Sequence, residues 1–169
     1  KVEAYRDGQM KKAEFQRGEL LNESTVLPTE EKNGTFVSFV PDDQIFKVYA
    51  FREQYIERLL WNYCYLNTGL SIWFNGKQYK SDNGLFDLLS ENLSGEPLYP
   101  IIHLRGDDIE VAFTHSQQYG EEYYSFVNGQ HTTQGGTHQG AFREAVARTI
   151  KDFYKKDYDA ADIRTSIVA

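Results

Sequence analysis

Between Val2 and Phe15 the chain reads as two extended runs around Asp7-Gly8. That dipeptide tolerates the positive backbone angles of a two-residue turn, so the pattern predicts a β-hairpin over residues 1–15. Residues 16–33 are polar and punctuated by Asn22, Pro28 and Asn33, which predicts a loop. Gly34 to Val40 is rich in β-branched and aromatic residues and reads as a strand stopped by Pro41. The period then changes. From Ala50 to Leu66, Ile56, Leu59, Leu60, Tyr63 and Cys64 fall on one face of a helix, with Arg52, Glu53, Glu57 and Asn62 opposite and Gly69 as a left-handed cap. The turn Pro41-Asp42-Asp43 lies between the two periodicities and is the expected domain boundary.

Alternation resumes at Leu70, Ile72 and Phe74, and Asn75-Gly76 predicts a tight turn into Lys77-Gln78-Tyr79. A short amphipathic helix is expected over Leu85 to Leu93, capped by Asp82 or Ser81. Strands are expected at Tyr99 to Leu104, around Ile109, Val111 and Phe113, and at Tyr123 to Val127, with another beginning near Asp162. A polar loop closes on Gly135-Gly136-Thr137-His138, with Thr137 as the expected helix cap. A helix from about Gln139 to Lys156 then carries Phe142, Ala145, Val146, Thr149, Ile150 and Phe153 on one face. Glu144 and Arg148 stand four apart in the favourable order for an ion pair, and Lys155 and Lys156 fall in the last turn, where cations suit the helix dipole. Strands and helices in this order give an α+β fold class.

Composition narrows the chemistry. The chain has 169 residues, 40% of them hydrophobic, enough to bury a core. A formal charge of −7 argues against a dedicated nucleic-acid-binding domain, although Arg143, Arg148, Lys151, Lys155 and Lys156 could form a local basic face toward DNA. Cys64 is the sole cysteine, so no internal disulfide forms, and its apolar surroundings read as core. No apolar run is long enough for a membrane-spanning helix, and a cytoplasmic location is expected. The chain starts on Lys1 without a signal peptide or an initiator Met, as a piece of a longer protein would. His103, His115, His131 and His138 show no metal-ligand spacing, so no metal site is expected. Of the four, His138 is suited to donate to a loop carbonyl and hold the elbow into the helix. No nucleophile elbow, paired-carboxylate dyad or phosphate-binding loop is present, and no catalytic residue is assigned.

One stretch carries a resemblance. Tyr124-Ser125-Phe126-Val127-Asn128, then Gly135-Gly136-Thr137-His138, Gly140 and Phe142 are similar to a signature of the ATPase-bearing B subunits of type IIA DNA topoisomerases, gyrase and topoisomerase IV. There the signature lies in the transducer domain. The run Arg58 to Leu70 resembles the first transducer helix, and the Asn83-Gly84 segment resembles a following motif. Gly129-Gln130-His131 and Gln134 depart from the commonest loop pattern, and the former inclines the reading toward topoisomerase IV.

The resemblance implies a division. Residues 1–42 would be the C-terminal strands of a GHKL ATPase domain, with Gly34 and Thr35 near the nucleotide. Residues 43–169 would be a transducer domain, incomplete at its C-terminus, with a mixed sheet and a left-handed βαβ crossover. The parent would use ATP and Mg²⁺ and act on DNA with a DNA-cleaving A subunit and as a B-subunit homodimer. Its transducer would couple ATP binding and hydrolysis to DNA-gate movement and strand passage. This stretch alone would bind no cofactor and be inactive. The alternative from the residues themselves is a non-enzymatic α+β binding module with an aromatic partner surface.

Overall fold

The computed structural model describes residues 1–169, which divide into two compact units, Lys1–Phe51 and Arg52–Ala169. The first unit thus ends later than the turn at Pro41. It is an antiparallel sheet of β1 (Val2–Arg6), β2 (Gln9–Gln16), β3 (Glu19–Glu23), β4 (Leu27–Pro28) and β5 (Gly34–Val37), ordered β3-β2-β1-β5 with β4 against β2. Asp7 and Gly8 both take positive φ, 52° and 76°, which matches the twist of the β1–β2 hairpin. Residues 16–33, expected as a loop, instead supply β3 and β4. Arg17-Gly18, with φ of 52° and 87°, makes a second such turn from a residue that seldom adopts that angle. The strand after Gly34 ends at Val37, well before Pro41, where Ser38 and Lys1 exchange backbone hydrogen bonds of 2.8 and 2.9 Å. Glu3 is the unit's buried residue. Tyr5 donates to its carboxylate, Lys1 pairs with it at 2.9 Å, and together they hold its pKa down at about 2. Phe15, Leu20, Phe36, Val37 and Phe39 are all exposed, so this unit has almost no apolar core of its own.

The second unit contains α1 (Glu53–Leu66), β6 (Ser71–Phe74), β7 (Lys77–Lys80), α2 (Leu85–Asn92), β8 (Ile102–Arg105), β9 (Glu110–His115), β10 (Phe126–Val127), β11 (Gln130–His131), α3 (Thr137–Tyr154), α4 (Ala160–Arg164) and β12 (Ile167–Val168). β12 pairs antiparallel with β9, and β9 with β8. On its other side β12 runs parallel to residues 122–124: Glu122 N–H donates to Ile167 O at 2.9 Å, and Tyr124 N–H to Ala169 O at 2.7 Å. Parallel neighbours need a crossover, and α3 and α4 supply it. The sheet is mixed and the class is α+β. Alternate residues of β9 face opposite ways. Ala112 joins Leu89 of α2 and Val168 in the core, with Leu85, Leu93, Ile101 and Tyr124 around them. Phe113, one residue on, meets Phe142 of α3 edge to face at 5.5 Å. Helices therefore cover both faces.

The helix faces differ from the pattern by about one residue. In α1, Leu59 is 52% exposed and Tyr63 is exposed, while Cys64 and Tyr65 are buried. Trp61 stacks on Tyr65 at 5.4 Å and meets Tyr79 of β7 edge-on at 5.3 Å, which sets the rotation of α1 against the β6–β7 hairpin. In α3, Ala147 is buried and Phe153 is 77% exposed. Arg148 pairs with Asp152 at 3.7 Å rather than with Glu144. The α2 cap is Gly84, not Asp82 or Ser81. Ser81 Oγ accepts from Gly84 N–H at 2.9 Å and donates to Asp87 at 2.8 Å. The strand expected at Tyr99 begins at Ile102, and Tyr99 instead offers its carbonyl to Thr114 Oγ1 at 2.8 Å. The strand expected from Asp162 is preceded by α4, because Asp159 caps a helical turn by accepting from Ala161 N–H at 2.7 Å. Cys64 is free and buried, and burial pushes its thiol pKa up.

Candidate functional site

The signature residues converge where the parallel segment 122–124 gives way to α3. Asn128 and Gly129 take φ of 48° and 81° and fold β10 onto β11, so the expected loop contains a hairpin. Phe126 and His131 face each other across it, ring centroids 5.1 Å apart. Thr132 closes the chain back onto Ser125: its N–H donates to Ser125 O at 2.8 Å and its hydroxyl to Ser125 Oγ at 2.7 Å. Ser125 Oγ in turn contacts His138 Nε2. His138 thus holds the elbow through a hydroxyl, not through the expected carbonyl. If Thr132 donates to Ser125, the Ser125 proton points at the ring and His138 Nε2 is the acceptor.

The elbow needs both glycines for different reasons. Gly135 has φ +73°, and its N–H donates to Thr132 O at 2.9 Å. Gly136, the cap of α3 in place of Thr137, is extended, with φ 164°. A Cβ there would lie 2.8 Å from His138 Cε1. Gly140 has open space where a Cβ would go. Phe142 packs between Phe113 and Tyr123, 5.5 and 6.5 Å from their centroids.

Beside the elbow, Glu121 gathers three donors. Tyr123 OH donates to it at 2.7 Å, Arg143 of α3 pairs at 2.9 Å and Arg164 of α4 at 3.2 Å. Burial alone would raise its pKa, but the three hydrogen bonds outweigh burial and hold the carboxyl below its ordinary 4.5. Burial and Glu121 push the Tyr123 hydroxyl up, and burial with Glu122 takes Tyr124 to about 12. The carboxylate therefore ties both crossover helices to the sheet segment. His115 adds a second tie. Its Nε2 donates to Ile163 O of α4 at 2.7 Å, leaving Nδ1 to accept from Tyr99 OH at 2.6 Å.

The basic residues do not form one open face. Arg143 is held by Glu121, Arg148 by Asp152, and Lys151 by Asp157 at 2.8 Å. Lys155 is the left-handed C-cap of α3, with φ 55°, so it and Lys156 lie beyond the helix and not in its last turn. Phe153, Tyr154 and Tyr158 surround this end as an exposed aromatic group, with the Tyr154 centroid 5.0 Å from Phe153 and 6.3 Å from Tyr158.

Two open clefts are formed in the second unit. One, of about 630 Å³, lies between α2 and the following connector and is lined by Phe86, Leu93, Pro97 and Pro100. The other, of about 450 Å³, lies between α1 and the elbow, with Arg58, Tyr123, Tyr124, Gln134 and Gly135 on its walls. Gly34 and Thr35 line neither. They lie on exposed β5 opposite Tyr5 and Ala4. No three His, Cys, Asp or Glu side chains are grouped to hold a metal. Gly34 and Thr35 bring one side-chain hydroxyl and no charge, so by themselves they do not fit a triphosphate with its magnesium ion.

Sequence reasoning missed the Glu121 clamp and the cleft. In the sequence Glu121 and Glu122 carry no assignment, and Arg58 enters only as the start of the run that resembles the first transducer helix. The available signal was the spacing Glu-x-Tyr in Glu121/Tyr123 and Glu122/Tyr124, which places each hydroxyl beside its carboxylate on one face of an extended segment.

Residues 81–167 match the family model described as DNA gyrase B. The chain is 44% identical over 169 residues to the B subunit of DNA topoisomerase 4 of Borreliella burgdorferi, covering 99% of this chain and 28% of that protein. It is 30% identical over 195 residues to the B subunit of DNA gyrase of Thermotoga maritima, covering 99% of this chain and 31% of that one. It is thus similar to proteins of which it spans less than a third. Among solved structures, the 43K ATPase domain of Thermus thermophilus gyrase B, in complex with an aminocoumarin, superposes with a TM-score of 0.79 at 28% identity, over 99% of this chain and 52% of that one. The ATPase region of Saccharomyces cerevisiae topoisomerase II shares the fold, with a TM-score of 0.70 at 20% identity, over 99% of this chain and 46% of that one.

Proposed function

This chain belongs to the DNA gyrase B family, and from that premise we propose that it is the coupling middle of the ATPase subunit of a type IIA DNA topoisomerase, of the topoisomerase IV kind. The observation that carries the reading is identity sustained over nearly the whole chain, 44% to the B subunit of a topoisomerase 4 against 30% to that of a gyrase. On this reading residues 1–42 are the last strands of a GHKL ATPase domain and residues 43–169 the transducer. The longer protein hydrolyses ATP with Mg²⁺, acts on DNA in the cytoplasm, pairs with a second copy of itself and works with a DNA-cleaving A subunit.

Coupling of this kind needs an element with two arrangements, biased by a ligand. The crossover suits the task. α3 and α4 are tied to the sheet by polar contacts at Glu121, His115 and the elbow and by the apolar contact of Phe142 with Phe113, all outside the apolar cluster at Leu89, Ala112 and Val168.

Nucleotide titration tests the reading. Thr35 could supply one hydrogen bond, worth about 0.5–1.5 kcal/mol net, against the roughly 8 kcal/mol that micromolar affinity requires. Calorimetry with a non-hydrolysable ATP analogue should show no binding to residues 1–169 and clear binding to the longer protein. With the A subunit present, that protein should change the linking number of plasmid DNA only when ATP is supplied. ATP-independent activity, or no nucleotide binding by the longer protein, overturns the reading.

A further inference from the structure

We propose that the cleft between α1 and the elbow is a phosphate-binding site, with Arg58 as its charge and the side chains of Thr133, Gln134 and Gln139 as its neutral donors. The inference rests on the reading above for the source of the phosphate, a nucleic-acid backbone, but its geometry stands without that reading. The cleft encloses about 450 Å³, room for a phosphodiester together with part of a sugar, and no carboxylate lines it. Arg58 takes part in none of the ion pairs of the structure. The acids beside it in sequence and beside the two tyrosines of the cleft wall are already engaged. Glu57 accepts from Tyr79 and pairs with Lys77 at 3.5 Å, Glu121 holds Arg143 and Arg164, and Glu122 accepts from Tyr124 and Gln118. Because Tyr123 and Tyr124 direct their hydroxyls to those carboxylates, they contribute ring surface to the wall and not competing acceptors.

Of the remaining lining residues, His131 packs its ring on Phe126, and the other donors are uncommitted. Thr132 spends its hydroxyl on Ser125, but none of the side-chain hydrogen bonds of the structure involves Thr133, Gln134 or Gln139. An unpaired guanidinium sharing one cleft with hydroxyl and amide donors favours a tetrahedral oxyanion, which accepts from several directions at once. A cationic or apolar ligand would leave Arg58 desolvated without a partner. Gln134 is the position that decides the sign of the cleft. An acid there would neutralise Arg58 from within and close the site to anions.

The test is a nuclear magnetic resonance titration of the 169-residue chain with three separate probes: inorganic phosphate, a deoxynucleoside monophosphate and a short DNA duplex. The side-chain amides of Gln134 and Gln139 and the backbone amides of Thr133 and Gly135 should shift with at least one probe. Arg58→Gln should weaken that binding about tenfold and Arg58→Lys much less. With the duplex, Arg58→Gln should also lower the slope of log affinity against log salt by about 0.9, the loss of one phosphate contact, which a purely structural role would not do. Gln134→Glu should abolish binding while leaving the fold's spectrum intact. Saturation by the duplex at far lower phosphate concentration than the small probes assigns the site to a polynucleotide. Equal response per phosphate assigns it to free phosphate esters, and the phosphate site stands either way. No shift at these residues with any probe, or unchanged binding in Gln134→Glu, overturns the proposal. Neither result bears on nucleotide binding by the longer protein, so the two readings fail separately.

Discussion

Gly135 and Gly136 are adjacent, yet substitution should injure the fold by two separable routes. At Gly135 the backbone itself is left-handed, φ +73°, so any side chain is strained there even where the Gln139 amide, which a Cβ would meet, swings aside. At Gly136 the backbone is extended and the obstacle is the His138 ring. We therefore expect Gly136→Val to destabilise by about 1–2 kcal/mol in the native chain and by much less in a His138→Ala background. Gly135→Ala should cost about 1 kcal/mol or more in both backgrounds. Urea midpoints of the six proteins check this, and equal behaviour of the two glycines would refute it. Gly84 joins a positive φ to a contact with backbone, which cannot swing aside as the Gln139 amide can. Its φ is +60°, and a Cβ would lie 2.9 Å from Thr68 Oγ1 and 3.0 Å from the Tyr65 carbonyl oxygen. Gly84→Ala should accordingly lower stability by more than either backbone strain or crowding would alone, about 2 kcal/mol or above.

At the scale of elements, the Glu121 clamp makes a pH-dependent statement. Its folded pKa lies below the ordinary 4.5, so the clamp stabilises the native state fully above that range and loses its contribution as pH falls through the folded value. Glu121→Gln should cost about 1–3 kcal/mol at neutral pH, discounted for the partial exposure of the Arg143 side chain. The gap between wild type and mutant should begin to narrow as pH drops below about 4.5, where the unfolded carboxyl takes up its proton first, and should close as pH falls through the lower folded value. A gap that widens in acid would contradict the assignment. The clamp also marks where reading the sequence stops. Turns are legible wherever a dipeptide declares itself, as at Asp7-Gly8 and Asn75-Gly76, both with positive φ. Asn128-Gly129 sends the same signal, but its flanking strands are two residues each, too short to show alternation. The helices are legible as helices, although not as to which side packs. α1 carries apolar side chains on two neighbouring stripes, and contacts with other elements, Trp61 on Tyr79 and Tyr65 OH to Glu91, decide between Leu59 and Tyr65. In α3 a charged residue, Arg143, faces inward because Glu121 waits for it from another element. The cleft is illegible for the same reason: its walls are drawn from α1, residues 123–124 and the elbow.

Taken whole, the two units are unequal. Apart from Glu3, every buried residue lies in Arg52–Ala169, which therefore should fold without the first unit. Residues 52–169 expressed alone should show a single cooperative urea transition with the near-ultraviolet signal of the full chain's aromatic core. Residues 1–51 should show none, since their sheet exposes Phe15, Leu20, Phe36 and Val37. Loss of the transition on removing the first unit would show that the division is not energetic. The place of β12 has a consequence for how the second unit is made. It is the last of its strands in the chain, yet it lies between β9 and residues 122–124, with Ile167 and Val168 fully enclosed. During synthesis its neighbours, residues 122–124 and β9, leave the ribosome about 45 to 50 residues earlier and must wait with facing edges unpaired. The nascent chain therefore carries a strand-wide vacancy until α3 and α4 have emerged, and a foreign strand reaching that gap first competes with the native one.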